Sequence, residues 1–117
     1  MYSLNVALPP KRDIYFSMSL KPEQKKQYRT IGHSLNPIVT VAGKGLTENI
    51  QLEVDRALED HELIKVKFVV GDREIKKQLI KELCAITEAT VVQEIGNIAL
   101  IYRAALEPNP KLSNLLR

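Results

Sequence analysis

The sequence predicts an α/β domain of the two-layer α+β kind, ordered α-β-α-β-α-β-β, with a four-stranded mixed sheet and helices packed on it. Three observations carry this. Apolar residues switch repeatedly between helical spacing and strict alternation, strong breakers separate the segments, and two β-rich runs near the end flank a Gly-Asn link. With 117 residues and 44% apolar composition, the chain suits one modest core and leaves no room for a second domain.

The first helix is expected over 21–34. Ser19 can cap it, and Pro22 suits a first turn, where its missing N–H costs nothing. Tyr28, Ile31 and Leu35 would face inward, while Lys21, Lys25 and Arg29 recur every four residues with Lys26 beside them. Asn36-Pro37 stops this helix, and the β-branched run 38–42 reads as a short strand. Thr47 then caps a second helix over 47–60, with Ile50, Val54, Ala57 and Leu58 on one side and its acids facing water.

Residues 63–70 alternate, with Ile64, Val66, Phe68 and Val70 on one face and Lys65 and Lys67 on the other. Gly71-Asp72 punctuates and caps a third helix over 73–87, whose inward positions are predicted as Ile75, Leu79, Leu83 and Ile86, with Lys76, Lys77 and Lys81 outward. Val91–Ile95 and Ile98–Tyr102, joined by Gly96-Asn97, form a hairpin. The expected organisation is an extension at 1–18 without regular structure, one domain at 19–103 and a loosely attached tail at 104–117. Met18 stands directly before the first helix signal and is read as a candidate native start, with residues 1–17 an over-long start or an expression artefact.

Charge is unevenly spread along a chain of net charge +3. Residues 19–46 carry Lys21, Lys25, Lys26, Arg29 and Lys44 against Glu23. Residues 47–62 carry six acids against Arg56 alone, and the next stretch turns basic again. Such a molecule is electrically sided, with one region attracting phosphate and another repelling it. One cysteine, Cys84, excludes an intrachain disulfide and fits a reducing cytosol; it reads as helix packing rather than as a nucleophile. His33 and His61 lack zinc-ligand spacing, and His33 suits the C-terminal end of the first helix dipole. Asp60, His61 and Glu62 read as surface residues at a helix end. No apolar run is long enough for a signal peptide core or a membrane span.

Gly43-Lys44-Gly45, between the first strand and the second helix, is the feature with most chemical content. Glycines lack Cβ atoms and so admit a ligand backbone, the helix end offers unpaired N–H groups and a positive dipole, and Lys44 adds a full charge. KH domains clamp a nucleic-acid backbone with a GXXG loop on this principle. A Gly-x-Gly at this junction is also an ordinary tight turn, and a lysine-rich helix face is also an ordinary solvated face. A P-loop is excluded because Gly45, not Ser or Thr, follows Lys44. With few aromatics and no paired aromatic strand, recognition of nucleic acid would lean on phosphate and shape.

Four stretches, in order, extend the reading: His33-Ser34-Leu35-Asn36-Pro37, Val41-Ala42-Gly43-Lys44-Gly45-Leu46-Thr47, His61-Glu62-Leu63-Ile64-Lys65-Val66-Lys67, and Ile95-Gly96-Asn97 leading to Tyr102-Arg103. Through them the run from Leu20 to Arg103 resembles a CRM domain (chloroplast RNA splicing and ribosome maturation), in particular the stand-alone bacterial YhbY type. The resemblance implies a fold like the C-terminal domain of translation initiation factor three. It also implies RNA contact through a GxxG loop with neighbouring basic residues, and a role in maturation of the large (50S) ribosomal subunit. One departure is local: alignment on Gly45-Leu46-Thr47 puts Ala42 where the family has its first glycine. Ala42 can serve there if the position needs neither positive φ nor the closest backbone approach, and Gly43 can take over that role by a one-residue shift.

The expectation is therefore non-catalytic RNA binding, with ribosomal RNA or a 50S precursor as partner, no cofactor, no metal and no membrane, by a cytoplasmic protein that is monomeric when free. The candidate site comprises Ala42, Gly43, Lys44 and Gly45, surrounded by Lys25, Lys26, Arg29, Lys65, Lys67 and Arg73. The alternative is a protein-interaction module in which the acidic second helix docks a ribosomal protein or assembly factor.

Overall fold

A computed structural model describes residues 20–116; the extension expected at 1–18 and the cap expected at Ser19 lie outside the described residues. Among the described residues seven elements follow in the predicted order: α1 (Pro22–Gly32), β1 (Pro37–Val41), α2 (Glu48–His61), β2 (Leu63–Phe68), α3 (Arg73–Thr87), β3 (Thr90–Ile95) and β4 (Ile98–Tyr102). Each boundary lies within about two residues of its prediction, the usual uncertainty at fraying ends.

The sheet order is β1-β2-β4-β3. β1 and β2 are parallel, and β4 runs antiparallel to both β2 and β3, so the second strand of the hairpin inserts into the middle of the sheet. Its sequence explains the central place: Ala99, Leu100 and Ile101 are all buried, as a strand covered on both faces requires. β1 begins with Pro37 and stands at an edge, where a strand tolerates a residue without an N–H.

The main core lies on one face, where Val39, Val41, Ile64, Val66, Phe68, Ala99 and Ile101 meet Val54, Ala57 and Leu58 of α2 and Ile80 and Leu83 of α3. These two helices and the sheet are the two predicted layers. α1 adds a partial third layer on the opposite face, where Tyr28, Ile31 and Leu35 pack against a small cluster of Leu63, Val92 and Leu100. The Tyr28 and Tyr102 rings stand 4.9 Å apart, and Gly32 lies so close to Leu100 that an added Cβ would come within 2.6 Å of it.

Three expectations need correction. On α3 the buried positions are Ile80, Leu83 and Thr87, with Leu79 half-buried against the core, whereas Ile75 and Ile86 are 53% and 50% exposed. The predicted stripe kept the helical period, but the contact is centred on the Ile80, Leu83 and Thr87 side of the helix, so Ile75 and Ile86 fall beyond its edge. The acidic end of α2 does not all face water, and Glu62 is buried. Its carboxylate accepts hydrogen bonds from the Ala105 N–H and the Ser113 hydroxyl. The tail is accordingly fastened rather than loose: Ser113 is buried, the Asn114 N–H donates to the His61 carbonyl at 2.9 Å, and Leu115 packs into the α1-side cluster.

Candidate functional site

The loop after β1 is built by two local constraints. Gly45 N–H donates to the Ala42 carbonyl at 2.8 Å, closing a tight turn, and Gly45 then takes φ +72°, a conformation open to glycine at little cost. Gly43 is different. Its φ is not positive, and a Cβ added there would meet nothing within 4 Å, so the fold itself makes no demand for glycine at this place. Ala42 has no positive φ either, which meets the first condition set for an alanine at the start of the loop. Ala42, Gly43 and Lys44 are all exposed.

α2 begins directly beyond. The Thr47 hydroxyl accepts from the Ile50 N–H at 3.2 Å, which satisfies one of the orphan donors of the first turn with a neutral group. The neighbouring helix end is capped differently: the Asp72 carboxylate accepts from the N–H groups of Glu74 and Ile75. An anion therefore already sits beside Arg73 at the start of α3. The two loops leave adjacent parallel strands at their C-terminal ends, the place where open α/β sheets commonly bind ligands. The hairpin turn joins them there, because the Phe68 N–H donates to the Asn97 carbonyl at 2.7 Å and the Lys76 ammonium donates to the Gly96 carbonyl. Lys76, predicted as a simple outward lysine, ties α3 to the turn.

The predicted basic residues fall into separate groups. Lys44 and Arg73 stand at the loop end of the sheet. Lys65 and Lys67 lie on the α1-side face, opposite Leu100 and Ile98 respectively, with Lys67 exposed and towards the loop end. Lys25, Lys26 and Arg29 belong to α1, whose Tyr28 contacts Tyr102, the residue opposite Leu63 at the far end of β2. The register thus anchors the middle of α1 at the end of the sheet away from the loop.

Among the described residues, no group of His, Cys, Asp or Glu is arranged to hold a metal ion, and no helix is long and apolar enough to cross a membrane. Burial and then the Glu94 carboxylate push the Cys84 thiol up to about 11, which suits a packing residue.

Fold and loop together define a small α/β domain with an exposed, glycine-bounded lysine turn at the carboxyl ends of its parallel strands. The profile of the CRS1 / YhbY (CRM) domain matches residues 20–103, and the chain belongs to that family. It is 50% identical over 100 residues to the probable RNA-binding protein PA4753 of Pseudomonas aeruginosa, covering 86% of this chain and 96% of that one. It is 42% identical to an RNA-binding protein of Haemophilus influenzae, covering 80% and 95% of the two chains. The solution structure of the Staphylococcus aureus protein SAV1595 superposes with a TM-score of 0.67 at 35% identity, covering 76% of this chain and 93% of the other.

Proposed function

We propose that this protein binds RNA without catalysis, gripping the backbone at the Gly43-Lys44-Gly45 turn, and that its target is ribosomal RNA in the maturing large subunit. The observation that carries this is Gly43. It is a glycine the fold does not require, exposed beside a lysine and a helix N-terminus, in a chain whose relatives are named RNA-binding proteins. Lys44 meets phosphate there, Gly43 and Gly45 admit the backbone, and Ala42 opens the turn. Arg73, Lys67 and Lys65 extend the positive surround from the loop end along the sheet, and Lys25, Lys26 and Arg29 hold a more distant segment of the RNA. The protein acts in the cytoplasm and is monomeric when free.

Affinity should fall with salt at a slope of roughly −0.7 per phosphate contact on single strands. Lys44→Glu should abolish most binding in a gel-shift titration while leaving the thermal melt unchanged; undiminished binding would refute the loop mechanism. Crosslinking in cells tests the target, and reads confined to non-ribosomal transcripts would remove the ribosomal assignment alone.

A second reading has one observation in its favour. A groove of about 480 Å³ between β1 and α2 is lined by Ile38 and Leu52 and by Glu53 and Asp60 against Arg56; two carboxylates to one guanidinium leave it acidic on balance, which suits a basic segment of a ribosomal protein or assembly factor. Charge reversal at Glu53 tests it, provided partner capture survives RNase treatment. Asp55 is unsuitable for that test because it is paired with Arg103.

A further inference from the structure

α1 covers only part of its side of the sheet. The row it covers contains Leu100, and Gly32 is pressed against that side chain. One step nearer the loops, the register aligns a second row across all four strands: Thr40 opposite Lys67, Lys67 opposite Ile98, and Ile98 opposite Ile95. Strand alternation sets this row on the α1 side, because Val66 and Phe68, which flank Lys67, both enter the opposite core.

This second row is open. Thr40 and Lys67 are exposed and Ile98 is half-buried, while Ile95 is 56% exposed. Adjacent strands lie about 4.8 Å apart, so the row makes a floor roughly 14 Å wide. Its β1–β2 side carries Thr40 and Lys67, and β1 runs directly into the Gly43-Lys44 turn. Its β3–β4 side is aliphatic. The polarity of the row is ordered: cationic on the β1–β2 flank, where Lys67 is exposed, and apolar on the hairpin flank, where Ile98 and Ile95 stand side by side.

We infer that this open row, with Ile95 and Ile98 as its apolar part, is where unpaired bases of a single-stranded RNA lie while Lys67 and the loop hold the phosphates. The inference rests on the RNA-binding reading above. An unpaired strand presents phosphates along one edge and flat, weakly hydrated base faces along the other, matching the order of charge and apolar surface here. A duplex stacks its base faces against one another and would leave the isoleucines in water. The occupant is thus a single strand or unpaired loop, not helical RNA.

The test is fluorescence anisotropy with the full chain, using a labelled oligoribonucleotide without self-complementarity and the same strand annealed to its complement. The unpaired strand should bind more tightly. Ile95→Ser should weaken that binding by about fivefold, from the loss of most of one aliphatic contact, with the salt slope unchanged because no phosphate contact is lost. Ile86→Ser, an equally exposed isoleucine on α3, is the control and should bind as the parent does; circular dichroism checks that both variants fold. A preference for the duplex, or equal binding by Ile95→Ser and Ile86→Ser, overturns the inference. If Lys44→Glu loses binding while Ile95→Ser keeps it, the loop reading stands and this one falls. If the parent protein binds neither RNA, both fall.

Discussion

Arg103 reaches from the end of β4 to α2, where one terminal nitrogen donates to the Asp55 carboxylate at 2.7 Å and the other to the Asp55 backbone carbonyl at 3.0 Å. The first nitrogen also donates to the Thr87 carbonyl at the end of α3, and the Glu59 carboxylate lies 3.5 Å from the second. One buried guanidinium thereby joins β4, α2 and α3, a geometry that suits the planar fork of arginine. Arg103→Ala should lower stability by about 2–3 kcal/mol, through lost charge-assisted hydrogen bonds and lost stem packing. Lysine should not restore it. Asp55→Asn should cost less, about 1 kcal/mol or below, because that side chain is 55% exposed and water can replace part of the interaction. Urea unfolding of the three variants checks the ranking.

The two loop glycines should separate folding from binding. Gly45→Ala places a Cβ at φ +72° and should cost roughly 1 kcal/mol. Gly43→Ala should keep or slightly raise the melting temperature, since its φ is not positive, nothing lies within 4 Å of the added carbon and alanine narrows the unfolded ensemble, yet weaken RNA binding. Paired thermal melts and gel shifts on the two variants make the comparison.

Gly32→Ala should loosen α1 from the sheet. Its Cβ would fall 2.6 Å from a Leu100 methyl, and Leu100 is itself buried, so relief requires moving packed atoms at about 1–3 kcal/mol. Amide exchange should rise in α1 more than in α2, and uniform exchange would contradict this.

Ser113→Ala should release the tail. The Ser113 hydroxyl donates to the buried Glu62 carboxylate at 2.7 Å, and its removal leaves that oxygen short of a partner at about 1–2 kcal/mol. Limited proteolysis after Leu106 should accelerate in this variant while the sheet stays intact.

Cys84 should resist thiol reagents. Burial and the Glu94 carboxylate raise its folded pKa to about 11, so the folded protein stays thiol where an unfolded chain begins to ionise. A raised folded pKa contributes stability that is fully present below the unfolded value near 9 and is lost as pH climbs through about 11. Labelling with iodoacetamide at pH 8 should be far slower in the native protein than in urea, and the melting temperature should decline across that alkaline window.

By itself the sequence determined the element order, the hairpin, the loop and its lysine, because periodicity, capping and turn chemistry are local and act within a few residues. The four motifs, and with them the family, were legible for the same reason. Only the tertiary structure decided what depends on contacts between distant segments. It decided that β4 lies between β2 and β3, that Glu62 is buried and fastens the tail, and that Ile75 and Ile86 point outward on α3. It also separated Lys25, Lys26 and Arg29 from the loop, since a basic stripe on a helix carries no record of which end of the sheet the helix covers. The open row of Thr40, Lys67, Ile98 and Ile95 has the same origin: each residue belongs to a different strand, and cross-strand register alone brings them into line.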